Sequence, residues 1–318
     1  MLENNFANDG GVLKIGGVST LDLREKYQTP LYIFDQKLLK DTVSTFVENF
    51  KSDLFETEIA YASKAFSNLY VLGLLNEFGI SFDCVSKEEI FIALKAGVNP
   101  KKIHFHGNNK TKEELEYAIE NNIGQIIIDS EDEYYLLDEI LKDFDKKIDC
   151  LVRINPDVKT DTHKFIQTSN ADSKFGLNIR DLKTKEIIKK IIKNKNMNLL
   201  GFHAHIGSQV KKLDFFKKEA QILLSFTKDL EYEFYYSFSH INLGGGFGTK
   251  EKLSDEDIDL EKFLKDYTKI IEDIIKKLSL SIKNVCIEPE RSLISRSGSI
   301  LYTVGHKKKL LKAILSFL

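Results

Sequence analysis

The chain has 318 residues, enough for one large domain or two modest domains with a buried core. Apolar residues make up 42% of it, charged residues make up 30%, and the formal net charge is −2. This composition excludes a chain that binds nucleic acid through bulk positive charge. No apolar stretch is long enough to span a bilayer, and the N-terminus lacks the pattern of a signal peptide. Three widely spaced cysteines, Cys84, Cys150 and Cys286, form no Cys-x-x-Cys pattern, which predicts a reducing, cytoplasmic location and no structural metal site.

The first predicted elements are short. Residues 11–17 predict a strand bounded by glycines, and residues 31–35 predict an apolar strand that leads into a helix at about residues 37–50. From there, apolar strands alternate with runs of 3.6-residue periodicity, which indicate helices. Eight such strands are predicted, at residues 58–63, 81–86, 103–107, 125–130, 149–155, 199–206, 240–244 and 284–288.

Eight strand-helix units over roughly 235 residues match the size of an α/β fold of the (β/α)8 TIM-type barrel class. A doubly wound open parallel sheet is the alternative. A long polar loop, residues 156–176, interrupts the alternation after the fifth strand. A loop of that length in a compact domain indicates either a functional segment or disorder.

Polar residues and a run of glycines fall at or near the ends of the predicted strands, where a parallel barrel gathers its chemistry. They are Lys64, Asp83, His106, Asp129, Arg153, Asn155, His203, His205, Gly244, Gly245, Gly246 and Glu288. Lys64 directly follows its strand, and a lysine desolvated there can attack a carbonyl carbon and form a Schiff base. The alternative for Lys64 is an amine that snorkels from a strand edge, and a lone histidine such as His106 can be purely structural.

Two further patterns indicate a cofactor that carries a phosphate. The glycines of residues 244–248 can turn successive backbone amides into a nest for a single phosphate, although a tight turn without a ligand is equally compatible. Glu288 ends the last strand and needs a partner, either a pyridinium nitrogen or Arg153. Together, a lysine, a glycine nest, a carboxylate and a histidine describe pyridoxal 5′-phosphate. Metal-dependent hydrolysis is disfavoured because the sequence has no His-Glu-x-x-His motif or clustered carboxylates.

Seven motifs in order resemble those of the diaminopimelate decarboxylase family, which belongs to the fold-type III pyridoxal phosphate group with ornithine decarboxylase and alanine racemase. They lie at residues 61–65, 82–86, 106–110, 163–176, 201–209, 243–246 and 288–291. The resemblance runs from about Gly11 to Gly305, and the motifs at 106–110 and 172–176 favour the diaminopimelate branch over the ornithine decarboxylases. It implies decarboxylation of the amino acid meso-2,6-diaminopimelate to L-lysine in lysine biosynthesis, by a homodimer.

The resemblance also implies roles for individual residues. Lys64 is the catalytic lysine that holds the cofactor, His205 stacks on the cofactor ring, and Glu288 pairs with the ring nitrogen. Ser208 binds the phosphate together with the glycine turn, and Arg291 lies near the phosphate and the substrate carboxylate. The remaining implied cofactor-binding residues are Asp83, Arg153, Gly244, Gly245, Gly246, Pro289 and Glu290.

Two features depart from the family pattern. Glu290 replaces a glycine of the family's Glu-Pro-Gly-Arg motif, and its bulk and charge should weaken cofactor binding. The second is the C-terminal β domain of the family, of which only the start is expected here. We therefore predict an N-terminal segment of that domain at residues 1–30, a barrel at 31–291, and the start of the C-terminal β domain at 292–318. The strands at 11–17 and 298–305 are expected to lack the sheet that they would join.

This incomplete domain leaves alternatives to a fully active decarboxylase. One is a homologue or fragment that binds pyridoxal phosphate without turnover. The other is a different amino-acid decarboxylase or a racemase on the same barrel. The nucleophilic position of Lys64 argues against a pure binding module, whereas the expected absence of the C-terminal domain argues against full catalysis.

Overall fold

The computed structural model describes residues 6–156, 174–250, 257–309 and 314–317. The chain divides into two compact units, one of Met1–Val43 with Leu293–Leu318 and the other of Ser44–Ser292. The domain bounds predicted from the sequence stay a prediction. Within the described residues, no helix has the length and apolarity needed to cross a membrane.

Short antiparallel pairings characterise the first unit. Its N-terminal elements are β1 (Phe6–Asp9), β2 (Val12–Ile15), β3 (Val18–Ser19), α1 (Thr20–Tyr27) and β4 (Leu31–Phe34), and α2 (Gln36–Asn49) leads into the second unit. β2 pairs antiparallel with both β1 and β3. Ser19 caps α1 by accepting hydrogen bonds from the amides of Leu21 and Asp22.

The second unit is a closed parallel barrel. Its strands are β5 (Glu56–Ala62), β6 (Ser81–Cys84), β7 (Ile103–Phe105), β8 (Gln125–Ile128), β9 (Ile148–Asn155), β10 (Leu177–Asn178), β11 (Met197–His203), β12 (His240–Asn242) and β13 (Asn284–Ile287). β5 to β9 pair in sequence, β9 pairs with β11, β11 with β12, and β12 with β13. β13 then pairs with β5 and closes the ring, while β10 adds a short pairing to β9. The predicted TIM-type barrel is therefore confirmed, and the open sheet is wrong.

Helices follow the barrel strands. They are α3 (Leu69–Asn76), α4 (Lys87–Lys95), α5 (Lys112–Glu120), α6 (Glu131–Ile140), α7 (Leu182–Lys193), α8 (Leu213–Phe234) and α9 (Leu260–Leu278). Ser86, Thr111 and Ser130 cap α4, α5 and α6 by accepting a hydrogen bond from the amide of the glutamate three residues later. These three residues thus mark the point at which the loop after a strand ends and the following helix begins.

An apolar core fills the space between the strands and the helices. Phe82, Phe105 and Phe202 are fully buried on three of the strands. Outside the barrel, Phe216 of α8 stacks on Phe247 with ring centroids 5.0 Å apart. Aromatic burial of this kind is worth about 1.5–3 kcal/mol per side chain. Phe247 directly follows the glycine turn, so its packing anchors that turn against α8.

The last elements return to the first unit. They are α10 (Arg291–Ile294), β14 (Gly298–Leu301), β15 (His306–Lys309) and β16 (Ile314–Phe317), of which α10 starts at the end of the barrel. β14 pairs antiparallel with β4, and β15 pairs antiparallel with β16. The additional β segments at both ends are therefore confirmed. β2 and β14 each pair with neighbouring strands, so neither is an unpaired edge, while the expectation that they have lost the larger sheet of the β domain stays a prediction.

Several barrel strands are shorter than predicted. The parallel ladder stops before Lys64, Gly244 and Glu288, so these residues lie just beyond the strand ends. Most of the predicted loop at residues 156–176, including the motif residues from His163 to Ser173, lies outside the described residues. The helix α9 begins at Leu260, with Asp259 as its cap.

Candidate active site

Lys64 lies in a short 3-10 turn, Ser63–Ala65, immediately after β5. Tyr61 fixes this turn, because its buried ring carries a hydroxyl that donates to the carbonyl oxygen of Phe66 at 2.9 Å. The amide of Ala62 donates to the carbonyl oxygen of Pro289 at 3.1 Å, which ties the end of β5 to the segment after β13. The chain therefore holds the base of Lys64 rigidly at the carboxyl end of the barrel.

The Lys64 side chain enters a cavity of about 340 Å³ at this end of the barrel. The residues that line it are Lys64, Asp83, Val85, His106, Gly107, Asn108, Asn109, Lys110, Arg153, Phe175, His203, His205 and Glu288. Five of the residues predicted to bind a cofactor, namely Lys64, Asp83, Arg153, His205 and Glu288, thus surround one space. Their positions on separate strand ends explain why the closed barrel brings them together.

Glu288 is held by three side chains from other strands. Asn242 Nδ2 donates to Glu288 Oε1 at 2.7 Å, His106 Nε2 lies 3.0 Å from Oε1, and His203 Nε2 lies 3.2 Å from Oε2. Burial opposes ionisation of this carboxyl, which is only 4% exposed. The contacts with His106 and His203 outweigh burial and hold the pKa of Glu288 well below its usual value. The carboxylate therefore stays ionised over the physiological pH range.

The histidines of the site differ in their surroundings. Burial lowers the pKa of His203 to about 3 despite the opposing effect of Glu288, so its ring is neutral at neutral pH. Burial and the positive charge of Lys64 lower the pKa of His205 well below its usual value. His205 Nδ1 accepts a hydrogen bond from the amide of Gly245 at 3.1 Å. This bond requires an unprotonated Nδ1 and fixes the ring beside the glycine turn.

The glycine turn after β12 is too crowded for side chains. Gly244 and Gly246 have φ values of +57° and +96°, which favour glycine. A Cβ atom on Gly245 would lie 2.1 Å from the carbonyl oxygen of Glu288, and one on Gly246 would lie 2.3 Å from that of Gly207. The Gly244 amide donates to Asn242 Oδ1 at 2.9 Å. Asn242 thus joins the turn to Glu288.

Glu290 lies between two of the predicted cofactor-binding residues. Ser208 Oγ donates to Glu290 Oε1 at 2.8 Å, and Lys64 Nζ lies 3.2 Å from Glu290 Oε2. The Lys64 side chain is 43% exposed, whereas that of Glu290 is 11% exposed. Burial favours the neutral amine of Lys64, but the charges of Asp83 and Glu290 outweigh it and raise the pKa of Lys64. The amine is therefore a cation in this arrangement.

Arg153 does not pair with Glu288, so the alternative of a structural Arg153–Glu288 pair is wrong. Arg153 Nη1 instead lies 3.4 Å from Asp129 Oδ2, and its guanidinium lies 4.6 Å from the centre of the Phe175 ring. Asp129 Oδ1 accepts a hydrogen bond from the amide of Gly176 at 3.0 Å. The two strand-end residues thus hold the last described part of the long loop against the cavity.

The remaining predicted cofactor-binding residues are Asp83, Pro289 and Arg291. Asp83 Oδ1 lies 3.9 Å from His106 Nε2, and burial raises the pKa of Asp83. Pro289 is buried and contributes its carbonyl oxygen to the end of β5. Arg291 is exposed at the start of α10 and does not line the cavity within the described part of the chain.

Sequence reasoning missed two groups of residues in the site. Asn242 belongs to an apolar strand, and only its position as the last strand residue could have singled it out. Lys110 is buried and donates to Glu133 Oε1 at 2.7 Å and to the carbonyl oxygens of Gly107 and Ile127 at 2.8 Å. This buried ion pair holds the loop after β7 against β8 and forms part of the cavity wall.

The structure also brings together three residues of types that can bind a metal ion. One ligand atom each of His106, His203 and Glu288 lies within 4.8 Å of the others. These residues are far apart in sequence, so the absence of a local motif such as His-Glu-x-x-His could not reveal the cluster. The contacts within the cluster already satisfy the Glu288 carboxylate, and the expected lack of a metal site stays a prediction.

A lysine amine inside a parallel barrel, close to an ionised carboxylate and a glycine turn, defines an enzyme that uses Schiff-base chemistry. Residues 40–295 match the family model described as "Pyridoxal-dependent decarboxylase, pyridoxal binding domain". The diaminopimelate decarboxylase of Bacillus subtilis is 39% identical over 304 residues, which cover 95% of this chain and 69% of the relative. That of Staphylococcus aureus is 38% identical over 303 residues, covering 95% and 70%.

Solved structures agree with these relatives. The diaminopimelate decarboxylase of M. jannaschii in complex with L-lysine superposes with a TM-score of 0.91 at 32% identity, covering 99% of this chain and 73% of that one. The enzyme of Helicobacter pylori in complex with L-lysine gives a TM-score of 0.83 at 30% identity, covering 91% and 70%. The chain therefore belongs to the pyridoxal-dependent decarboxylases and, among them, to the diaminopimelate decarboxylase family.

The residues present fit the pyridoxal phosphate of this family. Two buried polar atoms of the cavity wall, Asp83 Oδ1 and His203 Nδ1, have no hydrogen-bond partner among the described residues. Buried polar atoms of this kind are expected where a polar ligand binds. The ionised Glu288 suits a protonated ring nitrogen, and the glycine turn presents backbone rather than side chains, as a phosphate-binding turn requires.

Proposed function

We propose that this chain decarboxylates meso-2,6-diaminopimelate to L-lysine with pyridoxal phosphate bound at Lys64. The observation that carries the proposal is the position of Lys64, whose amine enters a cavity that also contains the ionised Glu288. The family membership and the lysine complexes of the two structural neighbours support the substrate class. When bound, pyridoxal phosphate supplies an electron sink for the electron pair left by departing carbon dioxide.

The proposed roles at the ring follow from the contacts of each residue. Lys64 binds the cofactor aldehyde through Nζ and must lose a proton before it does so. Glu288 accepts a hydrogen bond from the protonated ring nitrogen, because His106, His203 and Asn242 keep its carboxylate ionised and fixed. His205 packs against the ring, and its bond from the Gly245 amide orients it.

The proposed phosphate position lies at Ser208 and the turn of Gly244, Gly245 and Gly246. Pro289 and Glu290 connect this position to the end of the barrel, and Arg153 and Asp83 line the cavity that Lys64 enters. The role of Arg291 near the phosphate and the substrate carboxylate also remains a proposal, since its side chain is exposed. These residues would orient the cofactor at the carboxyl end of the barrel.

We also propose that the chain is a cytoplasmic homodimer without nucleic-acid or membrane partners. All three cysteines are free and buried, as in proteins of reducing compartments, and the net charge of −2 gives no bulk attraction to a polyanion. Size-exclusion chromatography with light scattering tests the dimer. A second candidate function is weak cofactor binding without turnover, because the Glu290 carboxylate contacts Ser208 and Lys64, the residues proposed to bind the phosphate and the aldehyde.

One experiment tests the proposed function and separates the two candidates. The purified chain is incubated with pyridoxal phosphate, reduced with borohydride and mapped by mass spectrometry, while carbon dioxide release from meso-diaminopimelate is measured. We expect the adduct at Lys64, and a loss of turnover of at least about 1,000-fold in Lys64→Arg. Lys95→Arg, at an exposed lysine of α4, is the matched control and should keep both the adduct at Lys64 and the turnover. An adduct without turnover in the unaltered chain favours the binding homologue, and no adduct contradicts the cofactor assignment.

A further inference from the structure

Glu290 makes contacts that an external anion could make. Its Oε1 accepts a hydrogen bond from the Ser208 hydroxyl at 2.8 Å, and its Oε2 lies 3.2 Å from Lys64 Nζ. The side chain is only 11% exposed, so it points into the protein and away from solvent. A carboxylate offers two negatively charged acceptor oxygens, and a phosphate group offers three to the same kinds of donor.

The surroundings of Glu290 are those of an anion site. Ser208 follows Gly207, whose carbonyl oxygen would lie 2.3 Å from a Cβ on Gly246. On the other side, the carbonyl oxygen of Glu288 would lie 2.1 Å from a Cβ on Gly245. The glycine turn thus contacts both the Ser208 segment and the Glu288 segment, and it presents backbone rather than side chains to the space between them.

We propose that the Glu290 carboxylate is an internal anion that occupies the phosphate position of the cofactor site, so that a phosphorylated cofactor must displace it. The inference rests on the proposed function for the identity of the cofactor and adds a specific barrier to its binding. In the cofactor-free chain, Glu290 also contacts Lys64 and, after Asp83, contributes a negative charge that favours its ammonium form. Displacing Glu290 therefore vacates the Ser208 hydroxyl and removes one of the charges that retain the proton on Nζ.

The side chain of Glu290, rather than its backbone, carries the effect. Glu290 is not among the non-glycine residues with positive φ within the described part of the chain. A side chain at this position is thus compatible with its backbone conformation. Glu290→Ala removes the carboxylate without adding backbone freedom, and Glu290→Gln keeps the shape and an acceptor for Ser208 without the charge.

Inorganic phosphate alone gives the first test, because it needs no Schiff base. Thermal unfolding of the full chain is followed with increasing phosphate, with chloride at equal ionic strength as the reference. We expect phosphate to raise the Tm of Glu290→Ala the most. The rise should be smaller for Glu290→Gln and smallest for the unaltered chain. In the double variant Glu290→Ala with Ser208→Ala, the phosphate-induced rise in Tm should be smaller than in Glu290→Ala alone, because the hydroxyl donor is lost.

A comparison of pyridoxal phosphate with pyridoxal, which lacks the phosphate, gives the second test. Dissociation constants are measured by absorbance titration, with the Lys64 adduct trapped by borohydride. Glu290→Ala should bind pyridoxal phosphate more tightly, and its gain should exceed that for pyridoxal on the order of tenfold or more, because only the phosphate competes for the carboxylate position. The matched control is Glu89→Gln, which removes a charge that also interacts with Lys64 but bonds to the Val85 amide rather than to Ser208.

The outcomes separate this inference from the proposed function. Equal phosphate stabilisation of the unaltered chain and Glu290→Ala overturns the inference. Equal gains in affinity of Glu290→Ala for pyridoxal phosphate and for pyridoxal also overturn it, because Glu290 then acts only through Lys64. The inference is likewise overturned if Glu89→Gln gains affinity for pyridoxal phosphate over pyridoxal to the same extent as Glu290→Ala. Absence of a Lys64 adduct from every variant contradicts the cofactor assignment instead, while the phosphate titration still decides whether Glu290 occupies an anion site.

Discussion

Glu288 and Glu290 lie two residues apart after the last barrel strand, yet the chain treats their carboxylates in different ways. Glu288 is 4% exposed and is held by Asn242, His106 and His203, which come from three other strand ends. Glu290 contacts one hydroxyl, of Ser208, and the amine of Lys64, whose side chain is 43% exposed. One carboxylate is therefore built into the barrel, whereas the other lies against groups that a ligand can also use.

The difference lies in the donors. The partners of Glu288 are an amide and two imidazoles with short side chains on closed-barrel positions, so they cannot follow the carboxylate if it moves. Lys64 has four rotatable methylene units and Ser208 a freely rotating hydroxyl, so both can turn to a new acceptor at little cost. We infer that rigid donors make a carboxylate structural and mobile donors make it exchangeable.

The same substitution at the two positions should change the stability of the chain to very different extents. Glu288→Ala should lower the free energy of unfolding by about 3–5 kcal/mol, because it leaves several buried polar groups without their partner. Glu290→Ala should change it by less than about 1 kcal/mol, because Lys64 can turn toward solvent. Urea unfolding followed by circular dichroism measures both.

Glu288→Gln is the companion variant, because it keeps the shape of the side chain while it removes the charge. It should unfold at an intermediate urea concentration and remain folded at neutral pH. Similar losses in Glu288→Ala and Glu290→Ala would contradict the distinction between a structural and an exchangeable carboxylate.

Glu133 is a third carboxylate to compare with Glu288 and Glu290, because it pairs with a lysine that is itself buried. The side chains of Lys110 and Glu133 are 1% and 5% exposed, and Lys110 also donates to two carbonyl oxygens. Lys110→Met keeps the length of the side chain but leaves Glu133 without its counter-charge. We expect a loss of about 3 kcal/mol in the free energy of unfolding, measured in urea at neutral pH.

A double variant shows whether this loss comes from the ion pair. Lys110→Met with Glu133→Gln removes both charges, and it should recover at least about 1 kcal/mol of the loss. Additive losses in the double variant would mean that the two residues stabilise the cavity wall independently.

Much of the barrel could be predicted from the sequence, because its signals are local. Apolar strands alternate with amphipathic helices, and the residues Ser86, Thr111 and Ser130 that start three helices each precede a glutamate by three positions. The pairing of β14 with β4 could not be predicted in the same way, because the partners are about 270 residues apart in sequence and share no local pattern.

The site was predictable where a residue lies at or near the carboxyl end of a strand, as Lys64, Asp83 and Arg153 do. Contacts between side chains were not, because they depend on which strand ends face each other across the barrel. Arg153 was a plausible partner for Glu288 on charge alone, yet its guanidinium reaches Asp129 on the neighbouring strand end. Asn242 gave no signal, since an amide at a strand end is common and only its two hydrogen bonds make it part of the site.

Glu219 of α8 is a third kind of carboxyl, with neither a rigid nor a mobile donor among the residues that the structure describes. It is fully buried, and neither carboxyl oxygen has a hydrogen-bond partner among the described residues. The hydroxyl of Tyr267 on α9 is likewise buried without a partner in that part of the chain. Burial raises the pKa of Glu219 well above its usual value, so the folded chain holds this side chain as a neutral acid.

This neutral acid makes stability depend on pH. Above the ordinary glutamate value of 4.5, the unfolded chain loses the Glu219 proton while the folded chain keeps it, so the free energy of unfolding falls as the pH rises. Glu219→Gln removes this dependence and should stabilise the chain by about 1–3 kcal/mol at pH 8, with a gain that shrinks toward pH 4. Urea unfolding at several pH values measures the gain, and Asp229→Asn, at an exposed position of the same helix, is the control. A gain that is constant with pH would mean that Glu219 is ionised in the folded chain, and that an unseen donor holds it as firmly as the barrel holds Glu288.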